Sequence, residues 1–400
     1  MNEQSLKKVN LIEKYLFYFL CGFSFFLPLS KAAGNIFLFL SLLTFVIRIF
    51  YKRDDLSKKF LQHKKIFVAV GMFLFAIFLS ALGSNSPVHG VARFLERYFL
   101  HVAIIFPVIF ISFDRDKIIL LAKLLIGGAL LSNLTVIIQA VPRLDEEVWR
   151  FGGVLGIMPQ GTLLAMFLPV YVLSALHFKE RRLKIFSVFA VFIGIVSILF
   201  TGTRGAWLAV LILIPLVIFI YSQKKLKNLG AIFVALSIIF GIVFVTPALS
   251  NRVETITDLH MQSNSERLLM WQSALQMFKD HPILGVGYGS YKDAYQNEYI
   301  SPLAKERTLE HAHNNFIQML AECGIVGFLA FNFMWIYLCY FALKGWAKEK
   351  NFAYLLYFCI LLGIILHGFT EYNFETSVPS KIFWYALGLC LAFCHKEKFY

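Results

Sequence analysis

Arg204, Arg267 and His313 are the residues of this 400-residue chain whose types best suit chemistry at an interface. A guanidinium offers a planar fork of donors that grips a diphosphate in bidentate fashion, which a lysine ammonium cannot do. An imidazole is the side chain best suited to take a proton from an attacking hydroxyl near neutral pH. Arg204 stands in TGTRGAW (201–207), where Gly202 and Gly205 let the backbone turn tightly between two apolar runs. An arginine so placed can equally hold a lipid phosphate, and Arg267 can equally be a solvated charge on a loop helix. His313, in HAHNN, lies at or just before a helix that Asn315 can cap; His311, two residues earlier, is the weaker candidate base. His367 and Glu371, spaced i and i+4 in HGFTEYNFE, can share a face and position His313 or a substrate hydroxyl. Arg93, Glu96 and Arg97 in one connection and Arg150 in WRFGG complete the set.

The elements that must position these residues are membrane helices. Hydrophobic residues make up 58 % of the chain, charged residues 16 %, and the mean hydropathy is +0.69, which leaves too little polar surface to coat a soluble protein of this length. The apolar stretches run to ~18 residues or more, whereas a spanning barrel would show ~10-residue segments of alternating polarity. The reading is an all-α integral membrane protein with twelve spans, at 13–29, 33–50, 66–83, 99–113, 118–139, 158–177, 185–201, 207–221, 229–246, 316–343, 352–368 and 381–395. About 24 of the 38 Lys and Arg fall in every second connection, the bias expected of cytoplasmic loops. That pattern accounts for the formal charge of +14 without nucleic acid, places both termini in the cytoplasm, and puts every candidate above on the opposite side. Met1 to Lys14 lead into an apolar run with no small-residue cleavage site, so the first span is expected to be retained.

The chain divides into helices over 1–245, one outer loop over 246–315 and helices over 316–400. At ~70 residues the loop is too long for a simple connector and should fold. Within it Ser263-Asn264-Ser265-Glu266 reads as a capping box, after which Arg267, Trp271, Ala274 and Phe278 share a helical face until His281-Pro282 stops the turn. Two patterns point to no site. Asp114-Arg115-Asp116 matches a DxD metal motif but occupies a short connection on the cytoplasmic side, and Gly285, Gly287 and Gly289 lack the strand-helix-strand setting of a dinucleotide fingerprint and read as a turn. The six cysteines lie in or at the ends of apolar runs, with no CxxC pair, so neither a disulfide framework nor a metal site is expected.

With TGTRGAW at 201–207, WQSALQMFKDHPILGVGYGSY at 271–291, HAHNNFIQMLAECGIVG at 311–327 and HGFTEYNFE at 367–375, the chain resembles the O-antigen ligase and polymerase family of bacterial polysaccharide assembly. The resemblance covers the second half; the first half agrees in helix count and in the patch at Arg150. It implies a GT-C-like bundle with one large periplasmic loop in the bacterial inner membrane, and a glycosyltransferase that needs no metal or other cofactor. The partners implied are an undecaprenyl-diphosphate-linked glycan donor, a lipid A-core acceptor and membrane lipids. Carried over by motif, Arg204 and Arg267 bind the donor diphosphate and His313 serves as base or orients the acceptor hydroxyl, with His311, Arg150, His367 and Glu371 in support. Relatives often carry Asp where this chain has Glu371, which leaves the reach of its carboxylate open. A polymerase of the same pathway is the nearest alternative. A transporter without catalysis would need a charged path through the bundle or inverted repeats, and the sequence shows neither.

Overall fold

The computed structural model describes residues 3–52, 56–110, 113–147, 149–223, 243–255 and 261–394, together with 227, 230, 237, 241 and 258. All regular structure among them is helical: α1 (Glu3–Phe26), α2 (Lys31–Tyr51), α3 (Leu56–Gln62), α4 (Lys64–Leu82), α5 (Pro87–Phe94), α6 (Leu100–Ala103), α7 (Ile105–Phe110), α8 (Arg115–Ala140), α9 (Ile157–His177), α10 (Arg181–Thr201), α11 (Arg204–Tyr221), α12 (Pro247–Glu254), α13 (Gln262–Asp280), α14 (Tyr291–Ala294), α15 (Asn315–Glu349), α16 (Phe352–His367) and α17 (Ser377–Cys394).

Nine of the described helices are long and apolar enough to cross a membrane, and α16 is a shorter apolar helix. Their outer faces carry large exposed apolar side chains, among them Phe39 (65 %), Phe50 (77 %), Phe75 (62 %) and Ile138 (71 %), which only a lipid solvent accommodates in such number. This is a multi-pass membrane protein. The span expected at 99–113 is broken instead: a π-helical turn (Leu95–Phe99) runs into α6, and α7 restarts at Ile105, with Pro107 inside it. The span expected at 229–246 lies for the most part outside the described residues.

Two helices, α9 and α17, are buried on nearly all sides, and α16 packs against both. A polar chain inside the bundle pins α8, α9 and α10 together: Ser132 donates to Gln160 (3.0 Å), Gln160 to Asn133 (2.8 Å) and Asn133 to Tyr171 (3.3 Å), while Ser197 donates to the Asn133 carbonyl (2.8 Å). Such pairs hold helices together where lipid supplies no hydrophobic drive.

The described residues of segment 246–314 pack against one end of this bundle. Helix α13 ends before His281, as its sequence predicts, and lays Met270, Ala274 and Met277 against Tyr291, Tyr295, Ala312 and Ala321. Its start differs from the capping box expected at 263–266. The helix already begins at Gln262, so Ser263 lies in the first turn, and Glu266, 3 % exposed, accepts from the backbone N–H groups of Lys305 (2.8 Å) and Glu306 (3.4 Å) instead.

Gly324 interrupts α15 with φ 59° and ψ −160°. The backbone groups on either side of the break pair with the loop before α14: Val286 and Gly287 donate to the carbonyls of Ala321 and Glu322 (both 3.0 Å), and Ile325 and Val326 to those of Pro282 (2.9 Å) and Ile283 (3.3 Å). The glycine-rich GVGYG stretch is therefore a backbone splice. Gly285, Gly287 and Gly289 all have positive φ, and a Cβ on Gly285 would lie 2.3 Å from the Glu322 backbone. Asp114, in the DxD pattern, stands at the start of α8 and pairs with Lys117 at 3.2 Å.

Candidate active site

The end of the bundle that meets segment 246–314 contains a cavity of about 310 Å³ lined by Arg150, Arg204, Arg252, Arg267, His313, His367 and Glu371, among others. All the candidate residues carried over by motif except His311 thus face one space. The charged and imidazole groups of the lining come from the segment before α9 and from α11, α12, α13, the lead into α15, and both sides of the α16 end.

Arg204 is the first residue of α11, directly after the left-handed turn at Gly202 (φ 58°). A Cβ on Gly202 would fall 2.3 Å from the Trp149 carbonyl, and one on Gly205 1.9 Å from Thr370 Oγ1, so both glycines are there for close approach. The Arg204 guanidinium reaches across to segment 255–264, donating to the Thr255 carbonyl, to Thr255 Oγ1 (3.1 Å), to Ser263 Oγ (3.2 Å) and to Asn264 Oδ1 (2.9 Å). It thereby ties the loop to the helical bundle.

His313 has φ 48°, a conformation that costs a non-glycine residue energy and that the packing around it must impose. Asn314, next in line, caps α15: its Oδ1 accepts from Phe316 N (2.8 Å) and Ile317 N (3.1 Å), and its Nδ2 donates to the Phe369 carbonyl (2.8 Å). The cap is Asn314 and not Asn315, whose side chain instead donates to Asn373 Oδ1 and accepts from the backbone N–H groups of Asn373 and Phe374. These bonds sew residues 313–315 to residues 368–374. Trp271 adds a tie from α13, donating its indole N–H to the Ala312 carbonyl at 2.8 Å.

The result is a paired imidazole and carboxylate. His313 Nδ1 lies 3.0 and 3.2 Å from the two oxygens of Glu371, and Arg267 approaches the same carboxylate at 3.9 Å. Burial alone would raise the Glu371 carboxyl, but the bond from His313 and the positive charge of the neighbouring imidazoles outweigh it and hold the group at about 2. His367 does not join this pair as the i, i+4 spacing suggested. Helix α16 ends at His367, Glu371 lies beyond it in a turn, and His367 Nδ1 contacts Thr162 Oγ1 of α9 at 2.8 Å.

Arg252 is the functional candidate that sequence reasoning missed. It donates to the Gly202 carbonyl (3.0 Å), its Nε is buried without a partner, and burial followed by the charges of Arg204, Arg150 and Arg267 lowers its guanidinium to about 10. In NRVE it has no local signal that separates it from a surface charge. His311 faces away from this cavity; its ring stacks edge-on against His313 at 4.2 Å, and burial, then the charge of His313, lowers its imidazole to about 4. His311, His313 and Glu371 each bring one ligand atom within 4.8 Å of the others, a group that can hold a metal ion, although Arg267 and the other cavity arginines oppose a dication there.

Residues 189–332 match the family model described as O-antigen ligase, a stretch that contains Arg204, Arg252, Arg267, His311 and His313 but neither Arg150 nor the 367–375 motif. The resemblance read from the motifs is borne out over that stretch. An uncharacterized protein of Haemophilus influenzae is 25 % identical over 242 residues, covering 55 % of this chain and 60 % of that one. A Rickettsia felis protein named "Putative polysaccharide ligase" is 28 % identical over 189 residues, 43 % of this chain and 42 % of its own, and a Rickettsia conorii protein of the same description gives the same figures. The chain therefore spans less than two thirds of the length of these relatives.

Proposed function

We propose that this chain, like the O-antigen ligases its central residues match, is a membrane glycosyltransferase that moves a glycan from undecaprenyl diphosphate to a sugar hydroxyl of lipid A-core at the periplasmic face of the bacterial inner membrane. The observation that carries this reading is the convergence of four guanidinium groups on a cavity that also holds the His313–Glu371 pair. A lipid diphosphate brings about two negative charges to the membrane surface, and arginines that bind more tightly as charge builds on the leaving group take the place of a metal and a general acid. Arg150, Arg204, Arg252 and Arg267 have that role, with Arg204 exchanging loop acceptors for phosphate oxygens.

With Nδ1–H donated to Glu371, His313 keeps its basic lone pair on Nε2. The acceptor oxygen attacks the anomeric carbon, its proton passes to His313, and the bond to the diphosphate breaks with the electron pair leaving on the phosphate oxygen. Ionised Glu371 stabilises the imidazolium so formed. A single displacement inverts the anomeric centre. Segment 246–315 serves as the lid, which Arg204 holds to the bundle until the donor diphosphate displaces its loop acceptors.

A lipopolysaccharide gel of a deletion strain tests the reading. Bare core with accumulated lipid-linked polymer, restored by the wild-type gene but not by a His313→Ala variant, is the expected result. Core capped by a single repeat would assign the chain to the polymerase reaction instead.

A further inference from the structure

A second cavity, of about 430 Å³, lies beyond His311. His311 and Tyr372 line it, whereas His313 and Glu371 line the first, so the segments 311–313 and 371–372 form a wall with one residue of each facing either chamber. The His311 Nδ1 atom is buried in this wall with no hydrogen-bond partner.

The charges around the second cavity do not balance. Arg93 is taken up by Glu375 through two bonds of 2.6 and 3.0 Å, Glu310 by Lys292 at 2.6 Å, and Arg97 stands 3.3 Å from the exposed Glu96. Lys31, on the cavity lining, has no carboxylate within 4.0 Å among the described residues. Lys381, one turn into α17, is 3 % exposed and bonds only neutral groups, Asn35 Oδ1 and Ser377 Oγ (2.6 Å), the latter itself on the lining. A buried ammonium with neutral partners alone is costly, and an unpaired lysine on the lining of an open cavity makes a seat for an anion. Apolar Val154, Leu155 and Val378 line the same space, as a lipid-borne ligand requires.

We propose that this second cavity seats the anionic part, phosphate or carboxylate, of the acceptor glycolipid, with Lys31, Arg97 and Lys381 as its counter-charges. The assignment rests on the transferase reading for the identity of its ligand. It places the acceptor's charge across the His311–His313 wall from the donor, so that the acceptor sugar must reach past the wall into the first cavity to present its hydroxyl to His313.

The test uses the full chain in phosphatidylcholine nanodiscs, with lipid A-core as probe, intact or chemically dephosphorylated. Wild type should bind the intact probe about tenfold more tightly, the effect of one or two charge-assisted hydrogen bonds. The Lys31→Gln/Arg97→Gln variant, altered at partly exposed positions that the fold tolerates, should bind both probes alike; retention of the wild-type preference overturns the proposal. Displacement of the probe by phosphatidylglycerol at equal lipid concentration would make the cavity a seat for leaflet phospholipid and likewise overturn it. A charge preference lost in the variant, in a protein that transfers no glycan, would uphold the cavity while removing the transferase reading. Transfer with an unchanged acceptor KM in the variant would do the reverse.

Discussion

Glu371 gives the sharpest test of the proposed geometry. Its carboxylate is 6 % exposed and lies 3.0 and 3.2 Å from His313 Nδ1. A charge-assisted hydrogen bond contributes about 1.5–3 kcal/mol and a neutral one about 0.5–1.5 kcal/mol. Glu371→Gln keeps an acceptor but not the charge that steadies the imidazolium, a loss of about 1–2 kcal/mol, or roughly 5- to 30-fold in rate. Glu371→Asp keeps the charge but withdraws it by roughly one carbon–carbon bond, ~1.5 Å, which opens the contact to ~4.5 Å and beyond hydrogen-bond reach. An aspartate should therefore not substitute on this backbone. Glu371→Ala loses both effects and leaves Arg267 without its carboxylate, about 3–4 kcal/mol or 10²- to 10³-fold. Because the folded carboxyl is held at about 2, below its ordinary 4.5, ionised Glu371 contributes its full stabilisation above about 4.5 and loses it as pH falls toward 2. The rank order wild type, then Gln and Asp together, then Ala, should accordingly hold from pH 5.5 to 8.5. Single-turnover transfer from lipid-linked donor to lipid A-core in proteoliposomes measures it. Full rate in Glu371→Asp, or Glu371→Ala within twofold of wild type, would refute the reasoning.

Arg204→Lys and Arg252→Gln should each raise the donor KM about 10- to 30-fold, since a lysine cannot reproduce the fork and a glutamine carries no charge; an unchanged donor KM in both would detach the arginine cluster from the diphosphate. Gly324→Ala places a Cβ 2.4 Å from the Ile283 carbonyl at φ 59° and should destabilise the fold by about 1–3 kcal/mol, read as a lowered Tm in detergent, whereas an unaltered Tm would show that the splice between α15 and the glycine loop does not hold. Excess chelator should leave the transfer rate unaltered; strong inhibition reversed by added zinc would put an ion on His311, His313 and Glu371.

Much of the helical layout is legible in the sequence. The apolar runs locate most of the long helices to within a few residues because hydropathy acts locally, and the motifs around Arg204 and His313 mark turns where the backbone must bend at the bundle end. Other readings fail for identifiable reasons. The capping box at 263–266 has the right residue types, but Glu266 finds stronger use in the backbone at 305–306, about 40 residues on. Asn314 and Asn315 are chemically equivalent as caps, and only the contacts with 368–374 separate their roles. The i, i+4 spacing of His367 and Glu371 presumes a helix through both, and the helix stops at the first of the two.

By itself the sequence determined the solvent this protein folds in, the order of its helices and the residue types able to meet a diphosphate, because composition and periodicity depend on neighbours along the chain. Tertiary structure alone decided that Arg252 joins Arg204, that His313 is turned onto Glu371 at a left-handed φ, and that His311 looks into a second chamber whose cations are unbalanced. The first two outcomes are set by hydrogen bonds to residues 50 and 58 positions away, and the third by packing of the His311 ring against His313 and Tyr372.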